Sequence, residues 1–166
     1  MILSFKLSRK VFTQTLFYMN YSRPVMLLLQ ILGLGLIGYW LYNKIQNSGN
    51  IPSIANFIFG LYFLLFVPLI IFLRALRMSR ATSRIMENVQ MELDKDVFKI
   101  NGESYKHEYT WNKIVKVKQT SFAYLIYVSK LQAHIIPMEA LSTQEKSSLN
   151  ALFRQLNGPV IRLKKN

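Results

Sequence analysis

The chain has 166 residues, of which 51% are hydrophobic and only 17% are charged, and it contains no cysteine. This composition argues against a disordered chain and against an ordinary soluble domain of the same length. The lack of cysteine excludes disulfides, thiolate metal sites and cysteine nucleophiles. The net charge of +13 is unevenly distributed, because every acidic residue lies at or after Glu87. The two halves of the chain therefore differ in chemistry.

Two apolar segments without any charge, residues 24–42 and 54–73, follow a basic N-terminal segment, residues 1–23. Each is long enough to cross the hydrocarbon core of a bilayer as a helix. Buried core helices of a soluble protein are disfavoured, since the rest of the chain is too small to cover two helices that are apolar all round. Turn-forming residues between the segments predict a short outer loop over residues 43–53. We predict an integral membrane protein with two transmembrane helices.

The distribution of cations predicts the orientation of these two spans. Lysines and arginines cluster before the first span and after the second, whereas the connecting loop holds only Lys44. Cations stay on the cytoplasmic side, so we expect both termini to be cytoplasmic. A nucleic-acid patch is disfavoured, because the densest basic runs adjoin the spans.

A basic helical segment, residues 74–87, is predicted directly after the second span. Its arginines recur at spacings of three and four, which places them on one helical face. Two interpretations stay open: the face binds anionic lipid headgroups, or it is a stop-transfer flank that only sets topology. The arginines are Arg74, Arg77, Arg80 and Arg84.

Polar and small residues within the spans predict how the hairpin packs. Pro68 deprives the Leu64 carbonyl of its helical donor, and Gln30 lies at a comparable depth in the antiparallel span. We therefore expect the Gln30 amide to donate to the backbone near Leu64; the alternative is a glutamine merely tolerated near the interface. The first span contains a G-x-G-x-x-G sequence, but no strand or acidic residue accompanies it, which excludes a dinucleotide site. Helix packing explains its glycines better: Gly33, Gly35 and Gly38.

Residues 88–166 have the pattern of a small α+β domain. Six short strands are predicted by period-two alternation, at 89–93, 97–100, 103–110, 114–118, 122–128 and 133–137. Asn101-Gly102 predicts a type I′ hairpin turn. Ser142 to Glu145 forms a capping box, which predicts an amphipathic C-terminal helix that Gly158 and Pro159 close.

Several of these segments resemble a known family. Trp111-x-x-Ile114-x-x-Val117, then Tyr124 to Tyr127, Ile135-Ile136-Pro137 and the capped helix are similar to the C-terminal domain of YcxB-like bacterial membrane proteins. Ser4 to Ser8, ahead of Phe12 and Phe17, resembles the strand and helix that precede the spans in that family. The resemblance implies a pleckstrin-homology-like antiparallel sheet or barrel with a C-terminal helix, in the bacterial inner membrane. It also suggests that Ile2–Leu7 adds an edge strand to this sheet, with Ser8 capping the next helix.

The sequence contains no pattern typical of an enzyme. Glu103 and Glu108 fall on opposite faces of their predicted strand, and the two histidines, His107 and His134, are expected to be packed or half-exposed strand residues. We therefore predict no catalytic residues, no metal site and no cofactor. Trp111 is either a core residue or an anchor for a partner protein.

We expect a non-enzymatic membrane protein whose cytoplasmic domain binds a protein partner or a lipid headgroup. An immunity-type protein that neutralises a toxin is a more specific form of this hypothesis. The alternative is an accessory or regulatory subunit of a membrane channel or transport assembly, in which the hairpin packs against other spans. Membrane lipids are expected partners in either case, nucleic acid is not, and the sequence does not indicate an oligomeric state.

Overall fold

The computed structural model describes residues 1–46, 53–81 and 87–164. The chain divides into two units. One, which we call the sheet domain, contains residues 1–15 and 78–166, and the other, the helical unit, contains residues 16–77. The sheet domain is thus assembled from both ends of the chain.

The helices of the N-terminal half are long and apolar. Helix α1 spans Arg9–Tyr21 and helix α2 spans Pro24–Gln46. The second apolar segment is helical throughout: α3 (Ile54–Leu61), a π-helical turn (Tyr62–Phe66) and α4 (Val67–Ala81). The predicted turn signals at residues 47–52 lie outside the described residues.

Two helical stretches, Pro24–Gln46 and Ile54–Met78, are long and apolar enough to cross a membrane by length and composition. The core helix of a soluble protein can pass the same test, but it would be mostly buried. In the most apolar 18 residues of each stretch, only 6% and 11% of the residues are buried. Their apolar side chains therefore face outward, as they do in helices that contact lipid.

The sheet domain contains two four-stranded sheets. The first has the order β1-β2-β3-β4 and is antiparallel throughout. The second has the order β7-β6-β5-β8, in which β8 alone pairs in parallel, with β5. The strands are β1 (Ile2–Lys6), β2 (Asn88–Leu93), β3 (Val97–Asn101), β4 (Lys106–Thr110), β5 (Lys116–Gln119), β6 (Ala123–Tyr127), β7 (Ala133–Pro137) and β8 (Val160–Arg162).

Strand β1 confirms the expectation that the N-terminus completes the domain. It pairs antiparallel with β2, with Leu3 opposite Met91 and Phe5 opposite Val89. Its burial alternates, so that Leu3 and Phe5 face the core. The Ser8 hydroxyl accepts a hydrogen bond from the Val11 amide at 3.3 Å, which satisfies one of the free donors at the start of α1.

The two sheets and the C-terminal helix α5 (Thr143–Gln155) enclose one hydrophobic core. Ser142 and Glu145 form the predicted capping box, in which each side chain accepts a bond from the other residue's backbone amide. The helix buries Leu149 and Phe153. The Phe153 ring packs edge-on against Trp111, with ring centroids 6.1 Å apart, and thereby ties α5 to the sheets.

Two details of the predicted strands are wrong. The type I′ turn at Asn101-Gly102 is absent: Asn101 pairs with Lys106, the four residues between them form the loop, and Gly102 donates to the Tyr105 carbonyl at 2.8 Å. A type I′ turn needs positive φ at both central residues, and only Gly158 has one among the described residues. Strand β8 was not predicted, because a three-residue strand after Gly158-Pro159 shows no periodicity.

Candidate functional site

A cavity of about 400 Å³ lies within the sheet domain. Residues of β1, β2, β3, β4, β7 and the start of α1 line it, and no described lining residue comes from α5. The lining residues are Phe5, Leu7, Phe12, Val89, Met91, Ile100, Tyr105, His107, Ala133, His134 and Ile135. Volumes of this order are typical of small-molecule sites.

Strand register explains why these residues meet. Met91 lies opposite Ile100, which in turn lies opposite His107, so the three share the inner face of the first sheet. His134 lies opposite the buried Ile126 and so projects from the inner face of the second sheet. Both β4 and β7 are edge strands. The cavity therefore lies between the two inner faces beside these edges, and it reaches solvent at the exposed His107.

His134 is the most perturbed polar group of the cavity. Its ring lies between aromatic rings, 5.8 Å from Phe98 and 5.2 Å from Tyr109 between centroids. Its Nε2 is buried and has no hydrogen-bond partner among the described residues. Burial, and secondarily the nearby charge of His107, lowers the pKa of His134 to about 4. The imidazole is therefore neutral at physiological pH.

The lining of the cavity is mostly apolar. No described lining residue is a lysine, arginine, aspartate or glutamate. Burial and the nearby Glu87 carboxylate raise the pKa of the Tyr105 hydroxyl, which keeps it protonated. Within the described residues, no group of three or more histidine, cysteine, aspartate or glutamate side chains could hold a metal ion.

Trp111 is a core residue, which is one of its two predicted roles, and its burial disfavours the other, an anchor for a partner protein. Only 3% of it is exposed, and its indole donates to the Asp94 carbonyl at 2.8 Å. Its ring stacks on Phe98 at 5.1 Å. A buried, hydrogen-bonded indole cannot reach a partner protein. The sequence predicts His134 only as a packed or half-exposed strand residue. Its position beside the cavity depends on how the second sheet packs against the first, and the pattern of strand β7 alone does not predict this.

The predicted hydrogen bond of Gln30 is present in the helical unit. Its Nε2 donates to the Phe63 carbonyl at 2.9 Å, one residue before the Leu64 carbonyl that Pro68 leaves without its α-helical donor. The π-helical turn Tyr62–Phe66 explains this shift. In the i to i+5 pattern the donor to Phe63 would be residue 68, and Pro68 has no N–H. Gln30 therefore supplies the hydrogen bond that the proline cannot.

Replacing Gln30 with leucine should destabilise the hairpin by roughly 0.6–1.7 kcal/mol, the range measured for side-chain hydrogen bonds between membrane helices. Unfolding by SDS titration in detergent, followed by far-ultraviolet circular dichroism, measures the change. Gln46→Leu is the matched control, because Gln46 is exposed at the end of the same helix. Equal unfolding midpoints for the two variants would show that the bond contributes nothing.

The predicted packing glycines fall into two groups. Gly33 is buried against the second helical stretch, where an added Cβ would lie 3.0 Å from the Phe63 Cβ and 3.1 Å from the Gly60 carbonyl oxygen. Gly35 and Gly38 are exposed, and an added Cβ would meet no described atom within 4 Å. Their prediction as hairpin contacts is wrong, because they lie on other faces of the helix. Gly60 takes their place and was not predicted.

Gly60→Ala should destabilise the hairpin relative to Gly35→Ala by about 1–3 kcal/mol. The new methyl group at position 60 would lie 2.5 Å from Ile37 Cγ1 and 2.9 Å from the Gly33 carbonyl oxygen, so the helices must separate. Both variants gain the same intrinsic helix propensity. The difference between their unfolding free energies therefore measures the effect of the close contact at position 60. The same SDS titration measures it. A Gly60→Ala hairpin as stable as Gly35→Ala would contradict the close approach.

The four predicted arginines are only partly described. Arg74 and Arg77 are exposed on α4. Arg80 lies in the same helix, and Arg84 lies outside the described residues. Contact of this face with anionic headgroups stays a prediction.

These features define a class of protein: a small sandwich of two sheets with a C-terminal helix and an internal cavity, joined to two helices of membrane-spanning length. Residues 93–153 match the family model described as YcxB-like protein, and the chain thus carries a YcxB-like domain. The match begins at the end of β2 and stops within α5. No curated protein and no solved structure shows significant similarity to the chain.

Proposed function

We propose that the protein is a non-enzymatic, two-span protein of the bacterial inner membrane whose cytoplasmic sheet domain binds a ligand. The observation that carries the proposal is the uncharged cavity between the two sheets, in a chain with two outward-facing apolar helices. Antiparallel sheets closed by a C-terminal helix support a pleckstrin-homology-like fold for the domain. The cavity favours a lipid over a protein as the ligand, because the volume of the cavity suits a small molecule.

The proposed topology can be tested directly, because the chain has no cysteine. A single cysteine at Gln46, the end of α2, should react with an impermeant maleimide in intact cells. One at the exposed Lys95, between β2 and β3, should react only after permeabilisation. The reverse pattern, or labelling of both sites in intact cells, would refute the proposed orientation.

The binding role can be tested with a photoreactive residue placed in the full chain. Leu131 lies in the sheet domain and is 63% exposed, while Gly35 lies on the outer face of the hairpin. Crosslinking in membranes, with products identified by mass spectrometry, should capture lipid or one recurrent protein from position 131. Capture of a toxin from position 131 would support the more specific proposal that the protein is an immunity protein.

A second candidate is an accessory subunit of a membrane channel or transport assembly. The observation that favours it is the exposure of Gly35 and Gly38, since small residues let a further helix approach closely. It predicts capture of another membrane protein from position 35 and nothing recurrent from position 131. That result would overturn the binding of a partner protein by the sheet domain.

A further inference from the structure

The charge and shape of the cavity restrict what it can hold. Its apolar wall comes from β1, α1, β2 and β3, and its hydrogen-bonding groups come from elsewhere: Tyr105 precedes β4, His107 lies within β4, and His134 lies in β7. Strand β7 also contributes the apolar Ala133 and Ile135, so the polar groups are not on elements of their own but lie together on the β4 and β7 side of the cavity. A ligand with one apolar portion and one polar end matches this division.

The polar end of the ligand should carry no net charge. No described lining residue is a lysine, arginine, aspartate or glutamate. An ion brought into such a cavity would lose its hydration without gaining a counter-charge. A hydroxyl group, by contrast, both donates and accepts, so it can pair with a phenol or with either tautomer of an imidazole, the polar groups of the lining.

The size of the cavity restricts the apolar portion. If each non-hydrogen atom takes up about 30 Å³, the share of a water molecule in the liquid, about thirteen atoms fill 400 Å³. Two acyl chains of a phospholipid greatly exceed this volume, whereas one medium-length chain with a small head does not.

We infer that the cavity binds a single-chain, uncharged amphiphile, such as a fatty alcohol or the hydroxyl-bearing end of a monoacyl lipid. The chain lies among Phe5, Phe12, Val89 and Met91, and the hydroxyl lies on the side of the cavity that Tyr105, His107 and His134 line. This inference rests on the proposed function and specifies its ligand.

The test uses the full chain in lipid nanodiscs and three diazirine-bearing probes with the same twelve-carbon chain. The probes are dodecanol, dodecanoate and dodecylammonium, which share the chain length and differ in the head group and its charge. After photolysis, mass spectrometry locates the modified peptides. We expect dodecanol to label the β2 and β7 peptides, at least tenfold more than either ion does.

Two matched variants distinguish the cavity from simple partitioning into lipid. Val89→Phe enlarges an inner-face side chain that lines the cavity and should reduce dodecanol labelling of β7 at least tenfold, whereas Val115→Phe adds the same atoms at an exposed position and should not. Circular dichroism of both variants checks that they fold. His134→Phe keeps the ring and should remove the preference for the alcohol over the ions.

Equal labelling of Val89→Phe and Val115→Phe, or labelling confined to α2 and α4, would overturn the inference. Labelling by either ion as strong as that by dodecanol would overturn the assignment of an uncharged head. These outcomes are separable from failure of the proposed function, because photocrosslinking at Leu131 still reports whether the domain binds a protein.

Discussion

Truncation of Leu3 to alanine is expected to destabilise the sheet domain by about 2–5 kcal/mol, the usual cost of removing a buried leucine side chain. Leu3 is 2% exposed and lies opposite Met91 on the inner face of the first sheet. A residue three positions from the N-terminus is rarely important for stability unless the terminus is tied into a sheet. Here β1 is an edge strand of that sheet and covers its core.

The adjacent residue provides a matched control. Ile2 has the same number of side-chain atoms but is 61% exposed on the outer face of the same strand. Ile2→Ala should therefore change stability by less than about 0.5 kcal/mol. The measurement is a denaturant titration of the full chain in detergent, followed by Trp111 fluorescence in a Trp40→Phe background. Equal losses for Leu3→Ala and Ile2→Ala would show that β1 is not part of the domain.

The same arrangement affects the choice of experimental material. A soluble piece that begins near residue 86 lacks β1 and leaves the β2 edge of the first sheet unpaired. It would also expose Val89 and Met91, which Phe5 and Leu3 face across the strand pair. Unpaired edges with apolar faces promote association. Binding experiments on this domain therefore require the full chain.

Local patterns predicted most elements but not how they assemble. Alternation located six strands, the capping box located α5, and the depth of Pro68 located the partner of Gln30 to within one residue. These features depend on residues near one another or on simple antiparallel geometry. The contact between Gly33 of α2 and Gly60 of α3 depends on which face of α2 is turned towards the second helical stretch. The sequence does not indicate that face, because α2 is apolar all round.

The cavity could not be predicted from the sequence. It lies between two sheets, and the residue pattern of one strand does not indicate how two sheets pack against each other. His107 and His134 are far apart in sequence and each fits its strand pattern without any special role. Only the second sheet, completed by the unpredicted β8, places His134 opposite the first sheet's aromatic residues Phe98 and Tyr109.

Mild acid is expected to destabilise the sheet domain through His134. Its pKa is about 4 in the folded protein, against 6.5 for an unperturbed histidine, because burial disfavours the charged form. Between these values the unfolded chain takes up a proton that the folded chain does not, so stability is fully present above pH 6.5 and falls as the pH drops towards 4. The full difference corresponds to about 3 kcal/mol, and about 2 kcal/mol of it should be lost between pH 7.5 and pH 5.

The acid effect can be assigned to this residue by comparing two variants in the same Trp40→Phe background. His134→Phe keeps an aromatic ring against Phe98 and Tyr109 and should make the stability independent of pH over this range. His107→Gln changes an exposed residue and should keep the acid loss, slightly reduced, because His107 lowers the pKa of His134 only secondarily. Denaturant midpoints at pH 7.5, 6.5, 5.5 and 5 give the comparison.

The pH range separates His134 from the carboxylates. The capping box lowers the pKa of Glu145, so its contribution is present above the ordinary value of 4.5 and is lost only in stronger acid. A loss above pH 5 that persists in His134→Phe would therefore come from neither group and would contradict the assignment.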